Sequence, residues 1–276
     1  MRQDFKRDFH YVWLGDAPHE FNLVQYLSVQ SVLMYGAPDS ITIWSEVDLY
    51  GDYFDKIKDS VKVVRIIRDK QIFGNPIVYT ELHGWSDIYR NMIIYEYGGI
   101  YCDFDIIWCK DITPLLDTID TFAIADQGIN GREGCNMGVM IGEKGSKFCE
   151  YYLNLYRQYG EYEQRNHIGL FSTSYPKQIA TQHPEIVTVL SYQTFHWPMY
   201  HMESIKWFYF SNPDDKDTLV DSLSGQRSSD QLLNNYAHHC FGTHWDGIRG
   251  RITEDFILTQ DTSFTKKVRP LLLWKN

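Results

Sequence analysis

Asp103 and Asp105 flank Phe104 at the point where one apolar run, Ile100-Tyr101, gives way to another, Ile106-Ile107-Trp108. Two carboxylates this close repel one another unless a cation sits between them. A hard divalent ion with carboxylate and water ligands would relieve the repulsion, and the same ion could grip a diphosphate. The tripeptide alone says little. With 24 aspartates in 276 residues, about two such patterns arise by chance. A second, Asp215-Lys216-Asp217, lies in a polar segment that reads as a solvated loop. Position separates the two, because ligands of open α/β sheets gather in the crevice at strand ends. Upstream, Asp87 and Arg90 stand three apart and share one helix face. In isolation they read as a surface ion pair of little worth. Their helix, however, runs through Gly98-Gly99 straight into the Asp103 strand, which brings both groups to the border of the same cleft.

The elements that must hold these residues are legible in the apolar pattern. Phe9 to Leu14 reads as a buried first strand, stopped by Gly15-Asp16-Ala17-Pro18. Asn22 to Tyr35 has helical periodicity ended by Gly36 and Pro38. Ser40 to Ser45 and Val61 to Ile67 read as strands, the latter rich in β-branched residues, with a short helix over Tyr53 to Ile57 between them. Trp85, Ile88, Tyr89, Met92 and Ile93 mark the buried face of a helix that ends at Gly98-Gly99. Ile100-Tyr101 opens a strand that the Asp103-Phe104-Asp105 turn interrupts and Ile106-Ile107-Trp108 resumes. Strands over Thr121–Ala125 and Gly138–Ile141 and a helix over Ser146–Tyr159 follow, and from Gly160 to Asp230 the pattern weakens. Strand–helix alternation of this kind gives a parallel sheet with helices on its faces. The expected fold class is α/β, a Rossmann-like, mostly parallel central sheet with flanking helices.

Composition narrows the function classes. A net charge of -10 argues against a nucleic-acid backbone as ligand. It permits a phosphate-bearing small molecule whose charge a bound cation neutralises. No apolar run reaches the roughly 18 residues needed to span a bilayer, and residues 1–8 lack the apolar stretch of a signal peptide. The five scattered cysteines contain no Cys-x-x-Cys pair, which suits reduced thiols rather than a disulfide framework or zinc site. These features read as a cytosolic protein, or one at most peripheral to a membrane. The high aromatic content is read as core, with Trp13 and Tyr101 singled out as possible stacking surfaces.

Taken together, Ser86-Asp87-x-x-Arg90 and Gly98-Gly99-Ile100-Tyr101-x-Asp103-x-Asp105 resemble the sugar-binding segment of Asp-x-Asp glycosyltransferases. The similarity is greatest to fungal outer-chain α-mannosyltransferases and the capsular-polysaccharide group, and more distant to the clostridial glucosylating toxins. Phe9 to Gly15 resembles the family's opening strand, and Tyr236 to Trp245 its closing segment. The resemblance implies a GT-A fold, retention of configuration, and one domain over 1–276. Its nucleotide-sugar-binding half would be 1–125, and 126–276 would hold the acceptor side and the closing metal-binding segment.

Carried over position by position, the resemblance makes Trp13 a stacking surface for the base with Tyr101 beside it. Asp87 and Arg90 would hold donor-sugar hydroxyls, and Asp103 the ribose or a metal-bound water. Asp105 would ligate the metal, and Trp245 would donate its indole N–H to a phosphate oxygen. Asp87, Arg90, Asp103 and Asp105 form the expected catalytic set. His239 or His244 would complete the metal site, with His239 favoured. A histidine ligand tilts the ion towards Mn²⁺ over Mg²⁺. Asn136 and Asp126 would face the sugar or the acceptor. The donor expected is a UDP-sugar, with GDP-mannose next, and the acceptor a glycan. The rivals are a nucleotidyltransferase, disfavoured by the absence of a Gly-rich basic phosphate loop, and an inactive carbohydrate-binding relative, disfavoured by the intact acidic set.

Overall fold

In a computed structural model, the apolar run at the N-terminus forms β1 (Asp8–Trp13), followed by the two-residue β2 (His19–Glu20) and a helix over Leu23–Tyr35. The structure describes residues 5–69, 71–77, 82–127, 134–159, 164, 169–197, 208–211, 235–241 and 250–274. Asn22 caps the Leu23–Tyr35 helix. Its side chain accepts from the Gln25 amide while the Gln25 side chain accepts from the Asn22 amide, a reciprocal box that satisfies two otherwise orphaned donors. The chain then forms β3 (Ser40–Ser45), β4 (Leu49–Tyr50), a short helix over Asp52–Asp55 and β5 (Lys62–Arg65). After a minor hairpin of β6 (Gln71–Ile72) and β7 (Asn75–Pro76) comes the Leu82–Tyr97 helix, which leads into β8 (Gly99–Cys102). The strands beyond are β9 (Ile106–Trp108), β10 (Phe122–Asp126), β11 (Cys135–Gly142), β12 (Thr188–Leu190) and β13 (Ala237–His239).

Seven strands make the central sheet in the order β12-β10-β11-β8-β1-β3-β5. Neighbours run parallel except around β11, which is antiparallel to both β8 and β10. The mostly parallel α/β sheet expected from the sequence is therefore present, with β11 as its one reversed strand. From β1 the chain moves outward to β3 and β5, then returns through the Leu82–Tyr97 helix to β8 on the other side of β1. That reversal opens a crevice beyond the carboxyl ends of β1 and β8, the place where open α/β sheets bind ligands.

Alternating side chains divide between two cores. Phe9 and Tyr11 of β1 and Ile100 and Cys102 of β8 pack on one face, with Leu27 and Val29 of the Leu23–Tyr35 helix. Val12 and Tyr101 pack on the other, with Trp85 and Ile88 of the Leu82–Tyr97 helix. This is the period-2 alternation of strands covered on both faces. β5 is an edge strand with exposed Lys62 and Arg65, charges that discourage pairing with another chain.

Two expectations need correction. The segment after Asp105 does not resume the β8 strand. β9 leaves the central sheet and pairs antiparallel with β13 in a separate ribbon, His239 opposite Ile106. The strand expected over Gly138–Ile141 begins at Cys135, because β11 pairs with β10 along its first residues. Among the described residues, no helix is long and apolar enough to cross a membrane, and all five cysteines are free thiols.

Candidate active site

The turn bearing the two aspartates begins where β8 ends. The Asp103 amide donates to the Gly138 carbonyl at 2.8 Å, and the Ile106 amide donates back to the Asp103 carbonyl at 3.0 Å. Phe104 anchors the turn: its ring stacks on Tyr11 with centroids 4.7 Å apart and meets Trp13 and Phe21 edge-on. The Cys240 amide donates to the Asp105 carbonyl at 2.7 Å. The β9–β13 ribbon thus fixes His239 beside the turn, and the His239 Nε2 lies 3.3 Å from Asp105 Oδ1. One ligand atom each from Asp103, Asp105 and His239 falls within 4.8 Å of the others.

Burial raises the Asp103 carboxyl above the usual carboxylate range; Arg90 pulls it down and the Asp105 charge pushes it up again. A half-buried pair of carboxylates with an imidazole aimed at them is a donor set that fits a divalent cation. Gly138 leaves the room. A Cβ there would come within 3.0 Å of Asp103 Oδ2 and 3.4 Å of His239 Cε1.

Asp87 and Arg90 are not the surface pair that their spacing alone suggests. Both are buried, and the Arg90 guanidinium lies 3.4 Å from Asp87 Oδ1 and 3.2 Å from Asp103 Oδ1. It also donates to the Met137 carbonyl at 2.8 Å and to Ser86 Oγ at 3.0 Å. Burial opposes the Arg90 charge, but Asp103, Tyr101 and Asp87 outweigh it and hold the group protonated. Asp87 Oδ2 accepts from the Ser172 hydroxyl. Arg90 therefore cross-links the first turns of its helix, the end of β8 and the β11 backbone.

Tyr101 is wholly buried. The Arg90 guanidinium lies 4.7 Å from its ring centroid, and its hydroxyl donates to Asp103 Oδ1 at 2.6 Å. Its ring faces protein, and its hydroxyl supports Asp103. Trp13 is half-buried at the end of β1 with His19 stacked on it, ring centroids 3.8 Å apart. Asp126 lies at the end of β10, 3.1 Å from Lys177 Nζ. Asn136 Oδ1 accepts from the Gly138 amide at 2.7 Å, beside the Asp103 turn. His244, Trp245, Asp215 and Asp217 lie outside the described residues.

Two side chains at the site had no sequence signal. Ser172 belongs to a π-helical turn over Leu170–Ser174, inside the stretch where periodicity fades. His196 is fully buried, with Nδ1 3.3 Å from His239 Nδ1. The neighbouring His238 is structural. It accepts from the Tyr209 hydroxyl at 2.7 Å and donates to the Trp197 carbonyl at 3.2 Å, and burial pushes it down to about 3.

The mostly parallel sheet, with the Asp103–Asp105–His239 cluster at its chain reversal, has the GT-A fold of glycosyltransferases. Residues 30–122 match the family described as "Glycosyltransferase sugar-binding region containing DXD motif". The chain is 27% identical to Glucan organizing enzyme 1 of Cryptococcus neoformans var. grubii over 263 residues, which cover 94% of this chain and 66% of that protein. In fold it is similar to the glycosyltransferase GlyE of Streptococcus pneumoniae TIGR4. That superposition has a TM-score of 0.50 at 13% identity and covers 99% of this chain and 61% of the other. PaToxG glycosyltransferase aligns with a TM-score of 0.46 at 16% identity, over 65% of this chain and 70% of that one. The resemblance to Asp-x-Asp glycosyltransferases first seen around Asp103 thus extends to the fold of the chain.

Proposed function

We propose that this chain is a metal-dependent glycosyltransferase that moves a hexose from a nucleotide-sugar donor to a glycan hydroxyl with retention of configuration. The convergence of Asp103, Asp105 and His239 within 4.8 Å at the carboxyl end of β8 carries the reading. Asp105 and His239 would hold a divalent ion directly, and Asp103 would do so directly or through water. Held by these residues, a divalent ion would supply positive charge that favours departure of a diphosphate. Mn²⁺ is favoured over Mg²⁺ because one donor is an imidazole.

The chain's own residues have separable tasks. Trp13 would stack on the base with the ring face that His19 does not occupy. Arg90 and Asp87, held rigid by their mutual bonds and by Ser172, would orient sugar hydroxyls. Preorganisation of this kind avoids a reorganisation cost during reaction. Asn136 and Asp126, at the facing ends of β11 and β10, would border the sugar or the acceptor. We read 1–125 as the nucleotide-sugar half of one domain and 126–276 as the acceptor half. UDP-sugar is the favoured donor and GDP-mannose the next. Retention follows from front-face transfer, in which the departing phosphate takes the acceptor proton.

The test is release of free nucleoside diphosphate from UDP- and GDP-sugars with and without Mn²⁺. Release that needs the metal, and that an added glycan accelerates, is the expected result. Pyrophosphate formation from a sugar phosphate and a nucleoside triphosphate would instead make the chain a nucleotidyltransferase.

A further inference from the structure

His239 has two ring nitrogens and two different neighbours. Nε2 faces Asp105 Oδ1 at 3.3 Å, inside the three-residue ligand cluster. Nδ1 faces away from that cluster, 3.3 Å from Nδ1 of His196. The His239 ring is clamped from another side by Phe241, stacked with centroids 4.0 Å apart. His196 is fully buried between Phe195 and Phe241, and its own Nε2 has no hydrogen-bond partner among the described residues. A buried imidazole that aims one nitrogen at a ligand and leaves the other unsatisfied has no evident packing reason to be a histidine. A phenylalanine would fill the space without the unpaired atom.

Between two ring nitrogens at this distance only one hydrogen fits. A metal at His239 Nε2 needs the lone pair there, so the His239 proton must sit on Nδ1. His196 Nδ1 must then accept, which places the His196 proton on Nε2. We infer that His196 is a positioning residue: its Nδ1 lone pair fixes the His239 ring in the tautomer and orientation that present Nε2 to the metal. The inference rests on the metal site proposed above and adds the residue that aims its imidazole. Outer partners of ligating histidines commonly have this effect on ligand basicity and ring orientation. Here the partner is a second neutral imidazole rather than the usual carboxylate or carbonyl.

Two substitutions separate positioning from packing. His196→Phe keeps the ring volume and removes the acceptor, while His196→Asn returns an acceptor oxygen near the Nδ1 position. Mn²⁺ titrations of the full chain should show binding weakened about 10- to 100-fold in His196→Phe and largely restored in His196→Asn. Thermal melting without metal should show no matching pattern. Imidazole ¹⁵N NMR of the wild-type chain with diamagnetic Mg²⁺ should find the proton on Nδ1 of His239 and on Nε2 of His196. Wild-type Mn²⁺ affinity in a folded His196→Phe protein, or an Nδ1 proton on His196 in the Mg²⁺ complex, would overturn the inference while leaving the metal site standing. A wild-type chain that binds no Mn²⁺ would overturn both.

Discussion

At the scale of single residues, the charges around Asp103 set the expectations. Asp105 contributes to the ligand cluster from a turn whose backbone is held by Phe104 packing and by the Cys240 amide. Asp105→Asn should therefore leave the fold intact and abolish metal-dependent transfer; circular dichroism and metal titration read the two separately. Asp217→Ala, in the second tripeptide, should change neither, and equal losses at both positions would remove the assignment. Trp13→Ala should weaken UDP binding by about 1–3 kcal/mol, the range of base–aromatic stacking. Calorimetry with UDP alone decides this, with Trp13→Phe as the folding control. His239→Ala should raise the Mn²⁺ concentration needed for activity more than His244→Ala does, because His239 stands opposite Ile106 and next to Asp105.

At the scale of elements, the Gly98-Gly99 junction is what brings Asp87 and Arg90 to Asp103. The Gly98 amide closes the helix on the Ile94 carbonyl at 2.9 Å, and both glycines have positive φ, +73° and +98°. A Cβ on Gly99 would stand 2.3 Å from the Asp8 carbonyl oxygen of β1. The close approach is backbone to backbone, so no flexible side chain can yield. Gly99→Ala should lower the denaturation midpoint and cost stability at the scale of a strained turn plus overpacking, about 2–4 kcal/mol. Urea unfolding of the variant measures it. His10 locks the same junction: its Nε2 donates to the Gly98 carbonyl at 3.0 Å while Nδ1 accepts from the Trp44 indole. Asp87, Arg90, Asp103 and Asp105 are therefore brought together by the β1–β8 pairing as much as by the helix that carries the first two.

At the scale of the whole molecule, buried histidines make stability depend on pH. Burial lowers His10 and His196, and pushes His238 down to about 3. Each takes up a proton less readily in the folded chain than in the unfolded one, where a histidine pKa is near 6.5. The unfolded state then binds more protons, so this stability is present above about pH 6.5 and is lost as pH falls towards the folded values. For a histidine held as low as His238 the slope approaches about 1.4 kcal/mol per pH unit below pH 6.5. The urea midpoint should drop between pH 7 and pH 5, and His238→Gln should flatten the drop. A midpoint that does not drop on acidification, or a drop unchanged in His238→Gln, would remove the buried histidines as its cause.

The sequence alone located the main N-terminal strands and helices and the pair of aspartates, because each depends on local periodicity or on neighbours in the chain. β1 and β3, the Leu23–Tyr35 and Leu82–Tyr97 helices and the Gly98-Gly99 stop all lie where the apolar pattern puts them, within a residue or a few at their ends. Three other matters depended on how the chain packs. It buried the Asp87–Arg90 pair, because Met137 and Asp103 arrive over it from β11 and β8. It turned Tyr101 from a candidate stacking surface into the support of Asp103. It also brought Ser172 and His196 to the site and set His239, which the resemblance had already named, beside Asp105, although 85 residues separate Ser172 from Asp87 and 43 separate His196 from His239. Such contacts leave no periodic trace along the chain. They exist because strands far apart in sequence pair side by side, and which strands pair is fixed by burial of the whole sheet between its two cores.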